Sequence, residues 1–148
     1  MSTDRAKIAV KRIYDKAAKA DGTRVLVDRL WPRGLSKPDA RLHAWLRDVA
    51  PSDELRKWFH AQPDQWLRFR RKYLKELAEP DAAAALQELY TFAEKSRQVT
   101  LLFASKNLEQ NNATVLKELL EGMKKPPTGT GPLRAAARER KVRSMPRR

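Results

Sequence analysis

RVLVDRLWPRGLSK, residues Arg24–Lys37, changes character halfway along, and that change decides the fold. Val25, Leu26, Val27 and Leu30 make a short, β-branched, nearly continuous apolar run, the pattern of a strand buried on both faces of a parallel sheet. Proline cannot donate into a sheet ladder, so Pro32 predicts a strand over 24–31 that stops at Trp31. Gly34 then supplies a turn with positive φ. The strand thus delivers Asp28, Arg29 and Arg33 to its carboxyl end, where open α/β sheets bind ligands.

Outward from this stretch, Ile8, Val10 and Ile13 alternate with polar neighbours, predicting a first strand over 7–14. Asp15–Thr23, with Asp21-Gly22 inside it, reads as a loop. Beyond Gly34 the period becomes helical: Leu42, Trp45, Leu46 and Val49 fall at i, i+3, i+4 and i+7, with Ser36 as cap and Pro38 in the first turn. Pro51-Ser52 starts a short helix carrying Leu55, Trp58 and Phe59. Pro63-Asp64 starts another, capped by Asp64. Its apolar face is Trp66, Phe69, Tyr73, Leu74 and Leu77, opposite Arg68, Arg70, Arg71, Lys72 and Lys75. Pro80-Asp81 opens a fourth with Ala82, Leu86, Leu89, Phe92 and Ala93 inward. VTLLFA (99–104) is a second buried strand. A last helix then carries Val115, Leu116, Leu119, Leu120 and Met123, ending near Gly122.

Strand, helices and strand in that order form a crossover, so 24–31 and 99–104 pair in parallel. The fold class expected is α/β: a small parallel-type sheet flanked by amphipathic helices, with a disordered basic C-terminal tail. The domain spans residues 1–123 and the tail 124–148.

Among 148 residues stand 32 basic and 18 acidic ones, a net +14. Nine basic residues against Glu139 give residues 124–148 +8, leaving +6 for residues 1–123. A polyanionic partner follows, with non-specific DNA or RNA contact through Lys124, Lys125, Arg134, Arg138, Arg140, Lys141 and Arg143. A solubilising extension without a partner is the plainer reading of the same residues. With no cysteine there is neither disulfide nor thiol chemistry. No 18-residue apolar run and no apolar leader are found, so a cytoplasmic protein without membrane contact is expected. Oligomeric state is not legible.

Parallel strands present their carboxyl ends together. Arg29, Trp31 and Arg33 from the first are therefore expected beside Ser105, Lys106, Asn107 and Asn111 from the second, as a pocket for a small anion or phosphate-bearing ligand. The last helix opens there, and helix N-termini attract anions. Against this, Asn107 with Gln110 reads as a capping box that satisfies the same donors, and Asp28 with Arg29 as an ion pair closing the edge. A catalytic reading would use Asp28, or Glu109, as general base on a phosphorylated small molecule. His43 and His60 lie apart, without triad or metal-ligand spacing, and no cofactor motif is present. Trp45, Trp58 and Trp66 fall at core positions of helices, leaving Trp31 as the ligand-facing aromatic.

KRIYD (Lys11–Asp15), RVLVDRLWPRGLSK, APSDELRKWFHAQPDQWLRFRRKYLKEL and TLLFASKNLEQNNATVL together resemble the YeaO-like family, small bacterial proteins grouped as a domain of unknown function. The likeness covers residues 7–123. It implies an α/β fold and a cytoplasmic bacterial protein, and no activity. Larger relatives resemble rhodanese-like domains with a cysteine-containing loop where SKNLEQNN stands; without cysteine that chemistry does not carry over. The family commonly has histidine after the asparagine matching Asn111, where this chain has Asn112. The resemblance supports Asp28, Arg29, Arg33, Lys106 and Asn111 as site positions.

Overall fold

Val99, Thr100, Leu101, Leu102 and Phe103 are all buried, as a strand with neighbours on both sides requires. The computed structural model describes residues 6–123, and the expectations for the 124–148 tail lie outside them. This run is β4 (Gln98–Phe103). β1 (Lys7–Arg12) lies parallel to it on one side, and β2 (Thr23–Leu26) parallel on the other. β3 (Ala44–Trp45) follows β2, giving the order β1-β4-β2-β3. Val25 stands opposite Leu101 and Leu26 opposite Leu102, so β2 and β4 are the expected parallel neighbours.

The pleat divides the side chains between two cores. Ile8, Val25, Val27, Val99, Leu101 and Phe103 face four helices: α2 (Asp53–Ala61), α3 (Trp66–Glu76), α4 (Pro80–Lys95) and α5 (Asn112–Gly122). Phe69, Tyr73, Leu86, Leu89 and Leu116 are among the helix residues of this core. On the other face Ile13, Leu26 and Leu102 join Ala40 under Trp31, Leu35, Leu42 and Trp45. The remainder of that face is polar. Asp21 accepts from Lys11 Nζ at 3.0 Å, Arg24 Nη1 at 2.5 Å and the Ala18 N–H at 3.0 Å. The Thr100 hydroxyl donates to the Asp21 carbonyl at 2.6 Å. Gly22 has φ +66°, and a Cβ there would collide with the Gln98 carbonyl oxygen.

Several boundaries differ from the sequence reading. β2 ends at Leu26 rather than Trp31. The Ala104 N–H, which would carry the ladder on, is taken by the Asp28 carboxylate. β1 ends at Arg12 rather than Tyr14, because Asp15 N–H closes a turn onto the Arg12 carbonyl. The largest correction concerns the helix expected from Pro38 to Val49. Ser36 Oγ does cap Asp39 N–H, but α1 (Lys37–Ala40) stops after one turn at Arg41, whose φ is +49°. The chain then adds β3 to the open edge of β2. His43 N–H donates to the Arg24 carbonyl at 2.8 Å and Leu46 N–H to that of Leu26 at 3.0 Å. Trp45 is thus a strand residue, and Val49 closes a 3₁₀ turn over residues 47–49.

α2 is capped by Ser52 as expected. α3 begins at Trp66 with Gln65, not Asp64, as its N-cap, because residues 62–65 form a turn closed by Gln65 N–H on the Gln62 carbonyl. α4 begins at Pro80 and α5 ends at Gly122, both as read. Gly34 adopts φ +79°, the conformation its turn calls for. Among the described residues no helix is long and apolar enough to cross a membrane.

Candidate functional site

Asp28 is the joint between three elements at the carboxyl edge. Its Oδ2 accepts the Ala104 N–H at 2.8 Å, just past β4, and its Oδ1 accepts Asn112 Nδ2 at 3.1 Å, from the first residue of α5. The same Asn112 amide donates to the Val27 carbonyl at 2.8 Å. Burial pushes the Asp28 carboxyl above its ordinary 3.8, and the Ala104 N–H, the Asn112 amide and the charge of Arg56 offset this only in part. Behind it Tyr73 donates to the Val49 carbonyl at 2.5 Å. Burial raises the Tyr73 hydroxyl well above 10.0, and the charges of Asp28 and Glu76 add to the rise.

The carboxylate and Arg29 are not an ion pair. Arg29 donates to the carbonyls of Ala50 at 3.0 Å and Pro51 at 3.2 Å, tying the loop after β2 to the start of α2. Trp31 is half-buried, donates to the Leu35 carbonyl at 2.6 Å and meets Trp45 edge-on at 5.3 Å, which makes it a wall of the smaller core.

Eight residues separate β4 from α5, so the helix opens at Asn112 and not directly after Ala104. Its cap is Asn111, whose Oδ1 accepts Thr114 N–H at 3.0 Å while Thr114 Oγ1 accepts the Asn111 N–H at 3.3 Å. The capping box expected at Asn107 and Gln110 therefore stands four residues later. Asn107 instead folds the loop: its Oδ1 accepts the N–H of Glu109 and Gln110, and its carbonyl accepts Asn111 Nδ2. Ser105 Oγ accepts the Asn107 N–H.

That leaves Arg33 and Lys106, both exposed. Tyr14 donates to the Arg33 carbonyl at 2.9 Å. Arg12 donates to the Ser105 and Ala104 carbonyls at 3.0 Å each. Both cation-bearing loops are thereby fastened to the end of β1. Sequence reasoning missed Arg12 and the role of Tyr73, and met Asn112 only as the place of the family's histidine. Asn112 carried a signal, as the first-turn residue of a helix entered from a parallel strand. Among the described residues no cluster of three or more His, Asp or Glu side chains is placed to hold a metal ion.

Opposite pH behaviour is expected of Asp28 and an ordinary paired carboxylate. With its folded pKa above the unfolded one, ionised Asp28 costs stability at neutral pH. That cost is relieved as pH falls through the folded value toward about 3.9. Asp28→Asn lacks this component, so the stability difference, variant minus wild type, should move in the variant's favour between about pH 3 and pH 7. Urea unfolding across that range measures it; a flat difference would mean that Asp28 titrates like a surface carboxyl.

Residues 7–131 match the model of a protein family described as the inactive DUF488-N3 subclade. A protein of Escherichia coli K12 bearing the name uncharacterized protein YeaO is 44% identical over 116 residues, covering 78% of this chain and 98% of its own length. Mb3100c of Mycobacterium bovis and Rv3073c of Mycobacterium tuberculosis H37Rv, both also named uncharacterized, are 42% identical over 116 residues, 78% of this chain and 95% of theirs. No solved structure matches.

Proposed function

Because the chain belongs to the inactive DUF488-N3 subclade, we propose that it works by binding rather than catalysis, as a cytoplasmic protein that holds nucleic acid non-specifically through its phosphates. The observation that carries this reading is a net +14, distributed as +6 over residues 1–123 and +8 over residues 124–148. Within the described residues, the exposed side chains of Arg33, Lys106, Arg68, Arg71 and Lys75 have no acidic partner. Such cations displace counterions from a phosphate backbone without reading sequence.

A small phosphate-bearing ligand is the second reading, favoured by the shared edge from which Arg33 and Lys106 emerge. It must contend with the Asp28 carboxylate beside Asn112, and with a first helical turn already occupied by Asn111 and Thr114. An anion pressed into that turn would meet a negative charge in a poorly screened position. Phosphates spread along the rim would not. Catalysis on a phosphorylated small molecule would require Asp28 as base, and the word inactive in the family description weighs against it.

The test is binding of a labelled duplex and a labelled single strand by the intact protein across a salt series. Affinity should fall with salt at a slope of about −0.9 for each duplex phosphate neutralised and −0.7 on a single strand. Absence of binding at about 50 mM salt would end the nucleic-acid reading. Saturable binding of inorganic phosphate in calorimetry, without oligonucleotide binding, would establish the small-ligand reading in its place.

A further inference from the structure

We infer that the nucleic acid held at the carboxyl edge is single-stranded, its bases resting on an apolar rim formed by Tyr14, Leu30 and Leu108; this rests on the phosphate-binding reading above. Large apolar side chains are exposed at four described positions: Tyr14 (42%), Leu30 (54%), Leu67 (71%) and Leu108 (61%). Isolated exposed hydrophobics are ordinary on a protein surface. Three of these four, however, follow the carboxyl ends of β1, β2 and β4, the three adjacent strands of the sheet.

The same three segments are cationic. Residues 12–18, 27–37 and 104–111 contain Arg12, Lys16, Arg29, Arg33, Lys37 and Lys106 against Asp15, Asp28 and Glu109. Two of the cations, Arg12 and Arg29, are spent on backbone carbonyls. Arg33, three residues after Leu30, and Lys106, two before Leu108, remain exposed.

Tyr14 is also held in place. Its hydroxyl donates to the Arg33 carbonyl, and the Arg12 guanidinium lies over its ring at 5.1 Å from the centroid. Arg12 is itself fixed by the carbonyls of Ala104 and Ser105. The ring is thus a pre-set surface between the Arg33 loop and the Lys106 loop, with little ordering left to do on binding. A duplex keeps its base faces stacked inside and shows only base edges in its grooves, so it would leave the rim's apolar side chains without a ring face to pack on. A single strand offers unstacked bases beside its phosphates, which matches aromatic and aliphatic side chains interleaved with cations.

The experiment uses the full-length chain with a labelled pyrimidine oligonucleotide of about 15 nucleotides and a duplex of equal phosphate number. The single strand should bind roughly tenfold more tightly at matched salt. Leu108→Ser should weaken it about five- to tenfold while leaving duplex affinity and the thermal midpoint unchanged. Tyr14→Ala, which also releases the Arg33 loop, should weaken single-strand binding about five- to tenfold more than it weakens duplex binding. Tyr14→Phe, which loses the bond to the Arg33 carbonyl but keeps the ring under the Arg12 guanidinium, should retain most of the single-strand affinity, because the ring makes the contact. Equal affinity for both forms, or single-strand binding indifferent to Tyr14→Ala, overturns this inference and leaves phosphate binding standing. No binding of either form overturns both. Competition by polyglutamate that is itself lost in Tyr14→Ala would assign the rim to an acidic protein segment and overturn the nucleic-acid assignment.

Discussion

Deleting residues 124–148 should lower the affinity for nucleic acid by roughly two to four orders of magnitude at physiological salt and flatten its salt dependence. Nine of the chain's 32 basic residues lie in this segment against one acid, Glu139. Each phosphate that the protein no longer neutralises takes ~0.7–0.9 off the slope of log K against log salt, so engagement of even half these cations is a large change. Among the described residues, 6–123, the larger core already joins the sheet to four helices, so stability measured by urea unfolding should be little affected. A full-length variant with the nine cations replaced by serine separates charge from chain length and should bind as weakly as the truncation. If the truncated protein binds as tightly with the same slope, the binding surface is Arg33, Lys106 and the α3 face instead. Sequence preference should be absent either way, since phosphate contacts carry none.

The second large effect is on stability, at Asp21. This carboxylate joins Lys11, Arg24 and the Ala18 N–H under the sheet, and Arg24 is itself only 4% exposed. Asp21→Ala would leave the guanidinium buried without its counter-charge, held only by the carbonyls of Ala40 and Arg41. Breaking a buried pair from one side costs about 3–5 kcal/mol, a large share of a small domain's stability. Lys11, less buried at 22% side-chain exposure, should matter less when replaced by methionine. Burial alone would raise the Asp21 carboxyl, but the bonds from Ala18, Lys11 and Arg24 prevail and hold it below 3.8. Its folded pKa is therefore depressed. The stability it contributes is complete above the unfolded value of about 3.9 and is lost as pH falls through the folded value. Urea unfolding at about pH 7 and again near pH 2 tests both claims: the gap between wild type and Asp21→Ala should narrow at the acid end. A gap of under about 1 kcal/mol at neutral pH would mean that the cluster is dispensable.

Asp21 also shows where sequence reading stops. As Asp21-Gly22 it reads as loop punctuation, and Gly22 does turn with positive φ. That the aspartate is buried against Lys11 and Arg24 depends on the pleat placing residues 11, 24 and 100 on one face of three paired strands. Local pattern was enough elsewhere. VTLLFA is apolar at nearly every position and could only be a covered strand. Ser52, Pro80 and Gly122 mark helix ends through backbone requirements that do not depend on the rest of the chain. The parallel pairing of β2 with β4 followed from the helices between them.

What the tertiary structure alone decided is every choice between partners distant in sequence. Leu42, Trp45, Leu46 and Val49 satisfy a helical period, yet the open edge of β2 offered backbone hydrogen bonds to His43 and Leu46, so Trp45 fell in β3 and Val49 in a 3₁₀ turn, with Leu42 before the one and Leu46 between the two. β4 entered between β1 and β2 although it comes last in the chain. Asp28 found Ala104 and Asn112 rather than its neighbour Arg29. Periodicity reports which side chains must be buried. It carries no information on which of two geometrically adequate hydrogen-bond partners arrives first or fits better, because that is set by packing against residues tens of positions away.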